Sequence, residues 1–149
     1  MSDDFRHHTR LEVRFRDIDA LRHVNNAVFI SYVEQARVRY LRDVLSIGAT
    51  DGLVDGLPMI LARISCDFRS PILFGEPVDV ATRVDWVGRS SFGMSHQLTA
   101  GEERRPAAEA SSVLVCYDYA QGRPEAMRAE WRSSLAAYEG RSLERAAQR

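Results

Sequence analysis

Phe15-Arg16-Asp17-Ile18-Asp19-Ala20-Leu21-Arg22-His23-Val24-Asn25-Asn26 divides two kinds of periodicity, and its reading decides the fold. Before it, Leu11, Val13 and Phe15 alternate with Glu12, Arg14 and Arg16, the period-two pattern of a half-buried strand. After it, from about Ala27 to Leu45, Phe29, Val33, Ala36, Tyr40 and Val44 share one helical face, with Tyr32 and Leu41 beside them. Glu34, Arg37, Arg42 and Asp43 lie off that face, and no Gly or Pro interrupts the run. Asn25 and Asn26 suit the N-cap, while Gly48 and the segment Thr50-Asp51-Gly52 suit the end. A helix of about 19 residues is roughly 28 Å long.

Strand signals fill the rest of the chain. Ile60, Ala62, Ile64, Cys66 and Phe68 alternate with Arg63, Ser65 and Asp67, and Pro71, Gly75 and Pro77 then break the run. Val78, Val80, Val84 and Trp86 alternate with Asp79, Ala81, Arg83 and Asp85, up to a tight turn at Gly88-Arg89. Phe92, Met94, His96 and Leu98 form the next alternation. Ala107 to Tyr119 is apolar on both faces around Val113 to Tyr117, which suits a central strand. Gly122 and Pro124 open a short C-terminal helix with Met127, Trp131, Leu135 and Tyr138 on one stripe. The expectation is one α+β domain over residues 11–139, between flexible tails at 1–10 and 140–149. Four strands joined by short turns are expected to pair antiparallel, forming a curved sheet wrapped around one long helix. A single helix covers one face only, so a second copy is expected to cover the remaining apolar area.

Composition narrows the function. The chain has 149 residues, 20 basic and 21 acidic, for a net charge of −1. That balance argues against a nucleic-acid or anionic-membrane partner, since both need excess positive charge. Every basic residue is Arg; with no Lys, Schiff-base chemistry and a P-loop are excluded. Cys66 and Cys116 make neither a disulfide framework nor a four-ligand zinc site, and no metal or cofactor is expected. The segment MSDDFRHHTR has no apolar stretch of the signal-peptide kind, and no run approaches a membrane span, so a cytoplasmic location is expected.

The chemistry concentrates in residues 17–26. Asp17 and Asp19 share the parity of Leu11, Val13 and Phe15, so a continuing strand would turn both carboxylates inward. His23 follows, and Asn25 and Asn26 stand where the helix begins, whose free N–H groups favour negative charge. A carboxylate beside such donors suits attack on an activated acyl group, because it can take a proton from water or attack directly. Bland roles remain open for each residue alone. Asp17 or Asp19 can pair with Arg14, Arg16 or Arg22, the Asn residues can simply cap, and His23 can simply pack.

The D-x-D-x-x-x-H-V-N-N stretch, continued by Phe29, Tyr32, Glu34 and Ala36-Arg37, resembles the hotdog acyl-CoA thioesterases of the 4-hydroxybenzoyl-CoA thioesterase type. Asp67-Phe68-Arg69-Ser70-Pro71, Phe74-Gly75-Glu76-Pro77-Val78 and Gly88-Arg89-Ser90-Ser91-Phe92 extend the resemblance from about Leu11 to Tyr138. It implies a hotdog fold, and Asp19 as nucleophile or general base. It implies that Asn25 and Asn26 mark the oxyanion-binding helix start. Coenzyme A contacts fall on Arg89, Ser90 and Ser91, which read equally well as a solvated turn. The substrate is then an acyl-CoA or an acyl carrier protein thioester, and the active site lies at a homodimer interface, with dimers pairing into tetramers. The HVNN form also resembles the plant acyl-ACP thioesterases, which implies that His23 assists, although Leu21 stands where those carry Asn; the benzoyl-type members lack the HVNN form, so aromatic specificity is not implied. Two alternatives are a hotdog enoyl-CoA hydratase, whose D-x-N-x-x-H pattern Leu21 breaks, and a non-catalytic acyl-CoA-binding protein.

Overall fold

Helix α1 runs over Asn26–Leu45 in the computed structural model, which describes residues 4–47 and 57–145. It forms where the 3.6-residue period places it, and it buries Phe29, Tyr32, Val33, Ala36, Tyr40 and Leu41 of the apolar face, and also Arg37, which the sequence placed off that face. Asn25 caps its start. Ser46, in the left-handed region at φ 58°, closes its end by donating its N–H to Arg42 O. The expected stop at Gly48 and Thr50-Asp51-Gly52 lies outside the described residues.

The strands are β1 (His7–Glu12), β2 (Met59–Phe68), β3 (Pro77–Val87), β4 (Ser91–Ala100), β5 (Arg105–Asp118) and the short β6 (Arg123–Pro124); α2 spans Ala129–Glu139. All pairs are antiparallel, in the order β1-β3-β4-β5-β2, with β6 against β5. The α+β architecture of a six-stranded antiparallel sheet, one long helix and a short C-terminal helix matches the hotdog expectation. Along α1, Phe29, Tyr32, Val33 and Ala36 pack with Val78, Val80 and Leu98. Farther along, Tyr40, Leu41 and Leu45 pack with Phe92, Met94, Leu114, Trp131 and Leu135. Among the described residues no helix is long and apolar enough to cross a membrane.

Several expectations are corrected. Residues 7–10 do not belong to a flexible tail, because β1 begins at His7, which is only 6% exposed and lies 2.9 Å from Asp43 through Nε2. The inward residues His7 and Thr9 are polar, so no hydrophobic alternation announces them. The strand also ends at Glu12, which leaves Phe15 84% exposed rather than buried. Strand β2 does not pair with β3, its successor in sequence. It crosses to β5 and forms a sheet edge, so β4 is the middle strand and β5 lies next to the edge. A register shift between Val84 and Trp86 turns Trp86 off the face of Val84 and brings Val87 inward. Helix α2 starts at Ala129, since Pro124 pairs with Tyr117 instead. Past Gly140 the chain is held: Leu143 is buried, and Val87 N–H donates to its carbonyl at 2.8 Å. Residues 146–149 lie outside the described residues.

Candidate functional site

Beyond β1 the chain makes a 3-10 turn over Phe15–Asp17, built around one carboxylate. Asp17 is 2% exposed and accepts the Arg14 N–H at 2.9 Å, the Arg14 guanidinium at 3.3 Å and the Tyr32 hydroxyl at 2.8 Å. Burial by itself would raise its pKa. The Arg14 N–H, the Tyr32 hydroxyl and the Arg14 charge together outweigh burial and hold it below the usual carboxylate range. The same bond, with burial the larger cause, pushes the Tyr32 phenol up.

Residues 18–24 then close a small hairpin. Ile18 bridges Val24, Asp19 N–H donates to His23 O at 3.1 Å, and Arg22 N–H donates to Asp19 O at 2.9 Å. Arg22 sits at φ 70° at the tip, a left-handed conformation that costs about 1 kcal/mol or more in a non-glycine residue. The hairpin stands on two legs: Val24 N–H donates to Ile72 O at 2.8 Å, and Asn25 N–H donates to Asp17 O at 3.0 Å. The loop carrying Ile72 is itself clamped by Arg105, which donates to Pro71 O at 2.8 Å and Glu76 Oε2 at 2.7 Å.

Asp19 lies on this hairpin, half-buried. Its Oδ1 accepts the Leu21 N–H at 2.9 Å and its Oδ2 accepts the Asn25 side-chain amide at 3.4 Å. Asn25 has a second task, since its Oδ1 accepts the Ala27 N–H at 2.8 Å and its carbonyl accepts the Val28 N–H at 2.8 Å. These bonds leave the Asn26 N–H without a partner among the described residues, one residue beyond the Asn25 that touches Asp19, at the positive end of α1. The Asp19 carboxylate is thus bonded to the residue that caps α1 and precedes its free donor. Asn26 itself is exposed as the first helical residue, and its side chain makes no bond here. The His23 Nδ1 lies 3.4 Å from Val24 O and not against Asp19. Asp17 faces the core and is unavailable to a ligand.

Arg89, Ser90 and Ser91 are not near Asp19 within one chain. Cys116 N–H donates to Ser90 O at 2.7 Å, which fixes their turn at the Cys116 end of β5. The loop backing the Asp19 hairpin is tied to the other end, where Arg69 N–H donates to Ala107 O. Residues 107 to 116 of a strand span about 30 Å. Arg89 is exposed, and its carbonyl is taken by Met127 N–H and Arg132.

Two contributors escaped the sequence reading. Tyr32 registers there as a helix-flank aromatic and as part of the family resemblance but with no partner assigned, and Arg105 not at all, because both act across long sequence separations that no local pattern marks. Among the described residues no group of three or more His, Cys, Asp or Glu side chains could hold a metal ion.

A family profile described as the thioesterase-like superfamily matches residues 13–135. The chain is 24% identical over 127 residues to the long-chain acyl-CoA thioesterase FadM of Escherichia coli (strain K12), covering 85% of this chain and 95% of that protein. It is 24% identical over 112 residues to the chloroplastic acyl-acyl carrier protein thioesterase ATL3 of Arabidopsis thaliana, covering 75% of this chain and 58% of that one. Among solved structures, a thioesterase from Thermus thermophilus, complexed with coenzyme A and Zn, superimposes with a TM-score of 0.80 at 38% identity. That match covers 94% of this chain and 99% of the other. A 1,4-dihydroxy-2-naphthoyl-CoA thioesterase from Synechocystis shares the fold with a TM-score of 0.73 at 16% identity, over 87% of this chain and 95% of that one.

Proposed function

The chain belongs to the thioesterase-like superfamily, and from that premise we propose that it hydrolyses an acyl-CoA thioester to the free acid and coenzyme A. The observation that carries this reading is the Asp19 carboxylate, fixed by Leu21 N–H and by the amide of Asn25, the cap residue just ahead of the Asn26 N–H, which has no partner among the described residues. The carbonyl carbon of the thioester faces Asp19 and its oxygen faces the Asn26 N–H. As a general base, Asp19 takes one proton from the attacking water, whose oxygen bonds to the carbonyl carbon. As a nucleophile, it forms an anhydride that water then opens. In either case the negative charge gathers on the carbonyl oxygen at the positive end of α1, where a fixed donor is worth most. The C–S bond then breaks and the thiolate leaves; in the general-base route it takes the proton that Asp19 drew from water, and in the nucleophilic route it takes one from solvent. Asn25 orients the carboxylate, and His23 lines the hairpin.

This reading calls for a homodimer, which can pair further into a tetramer. The edge strand β2 exposes Ile60, Leu61 and Phe68 at 36%, 40% and 44% and has no neighbour on its outer side among the described residues. A second copy paired antiparallel along that edge brings the partner's Arg89, Ser90 and Ser91 to the Asp19 end of this chain, where their charge and hydroxyls suit coenzyme A phosphates. One chain alone leaves the two groups about 30 Å apart.

The test is thiol release from a short-to-long acyl-CoA panel, run beside an acyl carrier protein thioester and an enoyl-CoA. Hydrolysis with no hydration of the enoyl-CoA supports the reading. Binding with no thiol released from any thioester refutes it. Multiple turnover in oxygen-18 water separates the two routes, since only the nucleophilic one can place label in Asp19, through attack of water on the Asp19 carbonyl of the anhydride.

A further inference from the structure

We infer that the buried Asp17–Tyr32 pair is a positioning device for hydrolysis, setting both Asp19 and the Asn26 N–H from one point in the core. The inference rests on the thioesterase reading above and goes beyond it by assigning a role to two residues that touch no substrate.

Asp17 stands where three connections cross. Its side chain is anchored by Arg14 and by the Tyr32 hydroxyl. Its main-chain carbonyl receives the Asn25 N–H at 3.0 Å. The next residue, Ile18, bridges Val24 and so closes the hairpin that carries Asp19. Asn25 in turn holds the Asp19 carboxylate and caps α1. A shift of the Asp17 peptide therefore moves the carboxylate and the cap together.

Tyr32 gives that peptide a fixed reference. It lies on the second turn of α1, 4% exposed, so its ring moves with the helix core. The 2.8 Å bond from its hydroxyl to Asp17 Oδ2 ties the helix body to the turn ahead of its own N-terminus. Well-packed apolar residues would fill this space at no loss of stability and with less desolvation. A charged acceptor and a hydroxyl fix distance and direction as well, which is what a reacting geometry requires.

The experiment compares wild type with Tyr32→Phe, Asp17→Asn and the double variant, well below each variant's Tm. It reads kcat, KM and the solvent exchange of the Leu21 and Ala27 amides. Tyr32→Phe keeps the ring and removes only the bond. The expected result is a kcat lower by about tenfold to a hundredfold with KM within about twofold. The double variant should lose no more than the worse single one, because both break the same link. A kcat for Tyr32→Phe within about twofold of wild type, whatever happens to Tm, overturns the inference. So does a double variant whose loss is the product of the two single losses. If wild type releases no thiol, the thioesterase reading fails and amide exchange still decides. Exchange about tenfold faster at Leu21 and Ala27 in Tyr32→Phe upholds the positioning role, and unchanged exchange overturns it.

Discussion

Asn25 performs two tasks with one amide, and two substitutions separate them. Its Oδ1 caps α1 at Ala27 N, and its Nδ2 holds Asp19 Oδ2. Asn25→Ala removes both contacts. Loss of the cap costs about 1 kcal/mol, and the 3.4 Å contact to Asp19 is too long to add more than a fraction of that. At roughly 2–4 °C per kcal/mol for a chain of this size, Tm falls by about 2–5 °C. Asn25→Asp behaves differently. Asp caps a helix as well as Asn and its charge suits the N-terminus, so the cap is kept, and any fall in Tm comes from the added charge. It also places a second carboxylate beside Asp19. Two like charges about 4 Å apart cost about 1 kcal/mol in water and more in a partly shielded site. Since about 1.4 kcal/mol is one pH unit, the acid limb of the kcat profile should move up by about one unit. At neutral pH, kcat should fall about tenfold through the lost amide contact and the altered oxyanion surroundings. The assays are thermal melts and thiol release across the acid-to-alkaline range. An Asn25→Asp enzyme with wild-type melting and a wild-type pH profile would refute the dual role.

Two further outcomes are expected. His96 is 1% exposed between Thr82 and Ser112, and burial, helped by the nearby Arg37 charge, depresses its pKa to about 3. The unfolded chain takes up this proton near pH 6.5 and the folded chain does not. Stability is therefore full above about 6.5 and is lost on acidification, at about 1.4 kcal/mol per pH unit between about 6 and 4. Urea melts should show that slope in wild type and its absence in His96→Gln; equal slopes would contradict it. The shared site predicts complementation. Asp19→Asn and Arg89→Ala, each weak alone, should recover about a quarter of wild-type activity when refolded together, because about half of random dimers carry one intact site. No recovery would mean that Asp19 and Arg89 do not meet across a dimer.

Much of this architecture is legible in the chain itself, for identifiable reasons. Helix α1 announces itself because its buried face follows a 3.6-residue period with Asn25 at its start. Strand β4 does so because Phe92, Met94, His96 and Leu98 all face the core. Strand β1 is hidden because its inward residues include His7 and Thr9. Extending that strand through Phe15 fails because Asp17 turns the backbone by accepting the Arg14 N–H. The β2–β5 pairing and the Val84/Trp86 register shift are non-local facts that turn residues do not encode. Within the site, the spacing of Asp19, Asn25 and Asn26 is readable because all three lie in one short stretch. It does not disclose that Asp17 points into the core at Tyr32, or that Arg89 to Ser91 lie at the opposite end of the sheet.

The central claim is that Asp19 is the reacting carboxylate and Asp17 is not. Thiol release from the acyl-CoA panel should therefore be measured for wild type, Asp19→Asn and Asp17→Asn, each shown to be folded by its melting curve. The account predicts that Asp19→Asn loses about two or more decades of kcat, about 2.7 kcal/mol or more. Asp17→Asn should lose less. Wild-type turnover by Asp19→Asn, or a deeper loss in Asp17→Asn, would contradict it.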